Sequence, residues 1–147
     1  MAVTLDFTKF FVLLADISWL SNLLAVGVAL AIGCVWYHSS VFGATWMQLA
    51  HLRPEDVALK QRAKTALIWQ VPILFVLAAD MTAFLRHLEW DTAMQWLMLG
   101  YNFGMVVALF IAIHYLYDLR PAKLFFITAG YSIVALSAMG AVIGFMG

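Results

Sequence analysis

Cysteine and charge are scarce in this chain, and motif-borne chemistry is absent. The one cysteine, Cys34, can neither close an internal disulfide nor hold a zinc ion by itself. It ends a run, Ala31-Ile32-Gly33-Cys34, whose apolar residues are poorly placed for a lipid-attachment box. Eight Lys and Arg balance eight Asp and Glu, so there is no basic field to hold a nucleic acid and no acidic tail. No Cys-x-x-Cys-His, His-Glu-x-x-His or cluster of four good ligands occurs, and the expectation is no metal and no cofactor. Ser39, Ser40, Ser132 and Ser137 lack a histidine and an acid at any motif spacing, and no glycine loop could cradle a phosphate. An enzyme is therefore the weakest functional class, although a hydrolase whose partners meet only in space stays open. Ahead of the first apolar stretch stands only Lys9, offset by Asp6, with no small-residue cleavage site, which argues against a removed signal peptide.

What the chain has instead is apolar residues. They make up 65% of the 147 positions against 45–50% in a soluble domain, which is membrane composition. At about 20 residues per crossing the length allows one folding unit of four spans, expected near 19–38, 65–85, 92–117 and 124–146. The first apolar region, 10–37, would be about 42 Å long as a helix, too long for one upright crossing. Asp16 and the polar residues near Trp19 make the natural break, leaving 5–17 at the interface or as an outer extension. Residues 39–64 carry too many charges to cross, and Pro54-Glu55-Asp56 reads as a helix beginning within them. Pro72 predicts a bend or a loosened hydrogen bond in the second span. The short links 86–91 and 118–123 force sequential antiparallel neighbours. The expected fold is thus an all-α integral membrane bundle of four transmembrane helices with an interfacial segment after the first.

Arg53, Lys60, Arg62, Lys64, Arg120 and Lys123 fall in the links after spans one and three, against only Lys9 and Arg86 on the other side. The positive-inside tendency therefore puts those two links in the cytoplasm and both termini outside.

Within the spans a few polar residues stand out. Asp80 lies inside Phe75-Val76-Leu77-Ala78-Ala79-Asp80-Met81, where a carboxylate is expensive unless it faces the bundle interior, takes a proton or finds a partner. It is either a proton- or cation-binding acid in an outward cavity, or a structural acceptor or snorkelling group. Asp16 could share its proton or cation if it lies at comparable depth. Asn22 and Asn102 read as amides that bond across helices or contact a solute. His38 and His114, both near the cytoplasmic face, could meet across helices or simply bond at the interface. Gly27 and the spacings Gly100-x-x-x-Gly104 and Gly140-x-x-x-Gly144 permit close backbone approach, within one chain or between chains. Trp36, Tyr37, Phe42 and Trp46 form an aromatic turn after span one, either a membrane anchor or a gate touched by His38 and Arg120. Arg120 and Lys123 share a face that could contact anionic headgroups, a polar solute or Asp118.

The stretch Gly33-Cys34-Val35-Trp36-Tyr37-His38-Ser39-Ser40-Val41-Phe42-Gly43-Ala44-Thr45-Trp46-Met47 with Arg53-Pro54-Glu55-Asp56 resembles one signature of the small bacterial membrane proteins grouped as domain of unknown function 1761. Tyr117-Asp118-Leu119-Arg120-Pro121-Ala122-Lys123-Leu124-Phe125 and Ala129-Gly130-Tyr131 through Met139-Gly140-Ala141 are similar to the second. The resemblance runs from Asn22 to the last span and implies a four-helix protein of a bacterial inner membrane. It implies no activity, and where the family often has proline this chain has Ser39 or Ser40. From the residues themselves the expectation is a small oligomeric transporter or channel-like protein for a proton, cation or small solute. The alternative is a non-catalytic membrane module that binds lipid or another membrane protein.

Overall fold

The computed structural model describes residues 18–53, 55 and 57–146, with the backbone alone at 57 and 58. The protein is an all-α bundle of four long apolar helices, each long enough to cross a membrane, with a short helical turn after the first. The long helices are α1 (Trp19–Trp36), α3 (Val57–His87), α4 (Ala93–Tyr117) and α5 (Ala122–Met146); the short α2 (Ala44–Leu49) follows α1.

The links show why the elements stop where they do. Tyr37 N–H closes on the Gly33 carbonyl at 2.9 Å, and His38 then turns extended, with ψ 144°. The His38 carbonyl accepts from Val41 and Gly43 N–H, both at 3.0 Å, winding Ser39–Gly43 into a π turn. A Cβ on Gly43 would collide with the Tyr37 carbonyl, so only glycine lets the chain double back this tightly. Three later ends share one closure. His51, Glu89 and Leu119 sit at φ 55°, 52° and 52°, and the next N–H in each case reaches back five residues, Leu52 to Met47, Trp90 to Leu85 and Arg120 to Tyr115. This is the Schellman arrangement with a non-glycine residue in the left-handed position. Helix α4 starts from a capping box, in which Gln95 N–H donates to Thr92 Oγ1 and Thr92 N–H to Gln95 Oε1.

α5 is the centre of the bundle. It packs most extensively on α4, then on α1, and only lightly on α3. The core gathers Ala25, Val26 and Ala29 of α1, Leu74, Ala78 and Met81 of α3, Leu99 of α4, and Ala135, Leu136, Met139 and Ile143 of α5. The two glycine spacings meet each other. A Cβ on Gly100 would strike the Leu136 carbonyl, one on Gly104 would lie 2.6 Å from Ile133 Cα, and one on Gly140 2.5 Å from the Trp96 carbonyl. They are therefore the intramolecular seam between α4 and α5. Gly27 differs, since its Cβ would meet nothing within 4 Å.

The bounds of α1, α4 and α5 lie within two residues of the expected spans, whereas α3 begins well before the expected start at 65. Hydrogen bonding carries the helix through Lys60, Arg62 and Lys64, which are exposed and need not lie in lipid. α3 also continues through Pro72, which offers no N–H to the Ile68 carbonyl. Every residue from 60 to 69 is exposed, so this half of α3 stands clear of the other helices.

Candidate functional site

Among the described residues the most buried polar group is Asn22 of α1, with no exposed surface, beside Thr82 of α3 at 3%. Thr82 Oγ1 lies 2.8 Å from Asn22 Oδ1 and 2.9 Å from the Ala78 carbonyl, and its single hydrogen can serve only one of them at a time. Asn22 Nδ2 is buried with no hydrogen-bond partner. Rotating the amide would let the nitrogen donate to the Thr82 hydroxyl, but would leave Oδ1 open instead. Either way one amide atom is desolvated and unsatisfied, a cost of about 1–3 kcal/mol. Neighbouring Ser21, also buried, spends its hydroxyl on the Ser18 carbonyl at 2.9 Å.

Thr82 also lines a cavity of about 390 Å³ at the Trp19 end of the bundle. Arg86, Glu89 and Asp91 give it charge of both signs, and Trp90, Trp96 and Ile143 give it apolar wall. Trp96 is fixed by its Nε1–H, which donates to the Trp90 carbonyl at 2.9 Å. Glu89 holds its left-handed backbone at the rim, a position where glycine would be less strained. Sequence reasoning did not single out Thr82, Glu89, Trp90, Asp91 or Trp96. Threonine in an apolar helix and acids in a link are ordinary there, and only the fold brings them to one hollow. Away from this cavity the middle of the bundle is apolar and packed, with Met81, Met139, Ala78 and Ala29 at zero exposure.

At the opposite end the aromatic turn forms one cluster. Trp36 Nε1–H donates to the Ile127 carbonyl of α5 at 3.0 Å, and its ring lies 4.8 Å from that of Phe42. Tyr37 meets Trp46 at 5.5 Å and Tyr131 at 5.3 Å, both edge-on. Tyr131 in turn donates to the Ala29 carbonyl and accepts from Gln70 Nε2, each at 3.3 Å, joining α1, α3 and α5. Burial, with Tyr131 and Tyr115 nearby, pushes the Tyr37 hydroxyl up to about 12. Gly33 and Gly130 make room for the Tyr131 and Trp36 rings, where a Cβ would sit 3.2 and 3.1 Å away.

Among the described residues only His38, of the remaining candidates, adjoins either cluster, at the aromatic turn. Asp80 is half-buried, but two residues along a helix is a turn of about 200°, so it faces away from Thr82 and the cavity. It makes no hydrogen bond or ion pair among the described residues. Among the described residues Asn102 makes no bond across helices. It is exposed, and its Nδ2 donates to the Met98 carbonyl of its own helix at 2.8 Å, because it lies about 200° around α4 from Gly100 and so turns away from α5. His114 is likewise local, 2.9 Å from the Phe110 carbonyl, and His38 Nδ1 caps the π turn, 2.8 Å from Ser40 Oγ. Arg120 stands 4.0 Å from Asp118, both well exposed. Asp16 lies outside the described residues. Among the described residues no three of His, Cys, Asp and Glu come together.

A family model described as Protein of unknown function (DUF1761) matches residues 20–144, and the chain belongs to that family. No curated protein and no solved structure matches the chain.

Proposed function

We propose that this family member is a small oligomeric membrane transporter or channel-like protein for a proton, a cation or a small solute. One observation carries the proposal. The mixed-charge cavity at the Trp19 end reaches Thr82, which holds a buried Asn22 with an unpartnered amide atom, while the apolar core shuts the bundle beyond it. Access from one end with closure at the middle is what a solute site needs to avoid a standing leak. In this account Asn22 and Thr82 receive the solute and Asp80 takes a proton or cation from the flank of α3. Trp36, Tyr37, Phe42 and Trp46 restrict the far end. The Trp19 end and both termini face outward from a bacterial inner membrane, with the cation-rich links in the cytoplasm. Partners are membrane lipids, where Arg120 and Lys123 suit anionic headgroups, and further copies of the chain. No step is catalytic, and nucleic acid is no partner.

Reconstituted vesicles with a pH-sensitive or cation-sensitive dye test this directly. Asp80→Asn is expected to abolish a pH-dependent flux while the protein still melts cooperatively in detergent. Wild-type flux in that variant removes the role given to Asp80, and no flux in the wild type removes the transport proposal.

The packed apolar core favours a second reading, a non-catalytic module that binds lipid or another membrane protein. On that reading Asp80→Asn alters thermal stability and there is no flux to lose.

A further inference from the structure

Two polar side chains lie on the outside of the bundle, each in the middle of an apolar face. Asp80 sits on the face of α3 that also carries Ile73, Val76 and Phe84, all more than half exposed. Asn102 sits on the face of α4 that carries Met98, Val106 and Leu109, also more than half exposed. The chain satisfies neither fully. Among the described residues Asp80 has no partner, and Asn102 uses one amide hydrogen on Met98 with no partner for its carbonyl oxygen. Facing hydrocarbon, a carboxylate and an open amide are both costly, whereas either is well placed at a contact between helices.

Their depths match. Asp80 lies seven residues before the end of α3 at His87, about 10 Å along the helix, and Asn102 lies nine residues after the start of α4 at Ala93, about 14 Å. Both are measured from the same tight link, and Phe84 packs edge-on to Phe103 at 5.6 Å, tying the two helices together near that level. Copies in a closed ring or dimer within a membrane are related by rotation about its normal, which preserves depth. Only groups at equal depth can then meet, and these two differ by less than two side chains can reach. Their chemistry matches as well. A primary amide can donate to a carboxylate and accept from a carboxylic acid, so Asn102 would serve Asp80 in both protonation states.

We propose that the exposed faces of α3 and α4 form the contact between copies of this chain, with Asp80 of one copy meeting Asn102 of the next. This rests on the oligomeric reading above and completes the Asp80 site with a residue from a second copy. Apolar neighbours seal the pair, and the exposed half of α3 extends the same contact toward the Tyr37 end.

Cysteine cross-linking in native membranes tests the contact without touching either polar residue. Val76 and Val106 lie one turn from Asp80 and Asn102 on the same faces and are 60% and 55% exposed, so Val76→Cys and Val106→Cys should fold normally. Cys34 is exposed and is first replaced by serine. Two full-length copies with different tags, one carrying each new cysteine, are co-expressed and oxidised. The expected product is a band carrying both tags at twice the 16.4 kDa chain mass, with neither cysteine cross-linking alone. Absence of the mixed band overturns the proposal, and so does a band from Val76→Cys alone, which would set α3 against α3. As a second measurement, Asn102→Leu should shift the mildly solubilised protein toward monomer in native mass spectrometry, while Asn102→Gln should retain the oligomer. Equal oligomer in both variants also overturns it. The cross-link is independent of flux, so a mixed band with no transport would remove the functional proposal and leave this contact standing.

Discussion

The α4–α5 pair and the Tyr37-end half of α3 are both continuous helix, yet among the described residues one is the most extensively packed seam and the other touches almost nothing. Along the seam Gly100, Gly104 and Gly140 let backbone meet backbone, and each bars even a methyl group. Residues 60–69 of α3 contain no glycine, Lys60, Arg62 and Lys64 carry charge there, and Leu67, Ile68 and Trp69 project outward. Hydrophobicity does not drive helices together in lipid, since a lipid tail is as apolar as leucine. Close fit decides, so α4 and α5 act as the scaffold while α3 keeps its surface for other contacts.

The sharpest way to break that contrast is at Gly100. Gly100→Ala puts a methyl group into the Leu136 carbonyl, which is backbone and cannot swing aside. The helices must part, and the expected loss is at or above the roughly 3 kcal/mol upper end for overpacking. Thermal unfolding in a mild detergent reads it. A melting temperature equal to wild type would mean the seam is looser than its geometry requires.

A smaller effect is expected where α1 meets α3. Thr82→Val removes the hydroxyl that bonds Asn22 and leaves its amide buried without a partner among the described residues, for a loss of about 2 kcal/mol. Adding Asn22→Leu removes the stranded amide too, so the double variant should recover most of that stability. If the double variant is as unstable as the single, packing rather than hydrogen bonding holds this junction. In the transport account the recovered double variant should still have lost solute binding, which separates a structural pair from a working one.

These contrasts also mark how far the residues alone could be read. Four long helices were legible because apolar runs of the right length admit little else, and Pro54-Glu55-Asp56 pointed to an early helix start. The expected spans nevertheless put the start of α3 at 65. Hydropathy reports where a chain tolerates lipid, while a helix continues wherever its backbone bonds continue, here through Lys60, Arg62 and Lys64. Asn22 stood out as a lone amide in an apolar run, but its partner Thr82 did not, because threonine is unremarked in such runs. Asn102 was open to a better reading. It lies two residues from Gly100, hence on the far side of α4 from the seam, and that angular argument shows it cannot glue α4 to α5.

The same angular argument applies to Gly27 and yields the smallest change. Although grouped by composition with the seam glycines, Gly27 meets nothing within 4 Å of an added Cβ, and it lies between buried Val26 and half-buried Val28 on an open side of α1. Glycine inside a helix carries an excess backbone entropy, so with no steric cost Gly27→Ala should stabilise the chain by about 0.5–1 kcal/mol. Gly100→Ala makes the identical chemical change on α4 with the opposite sign. Melting both variants side by side in the same detergent removes the contribution of helix propensity, because it is common to the two, and leaves the seam as the difference. A loss at Gly27 similar to that at Gly100 would mean that a second copy covers α1 as closely as α5 covers α4, moving the contact between copies away from α3 and α4.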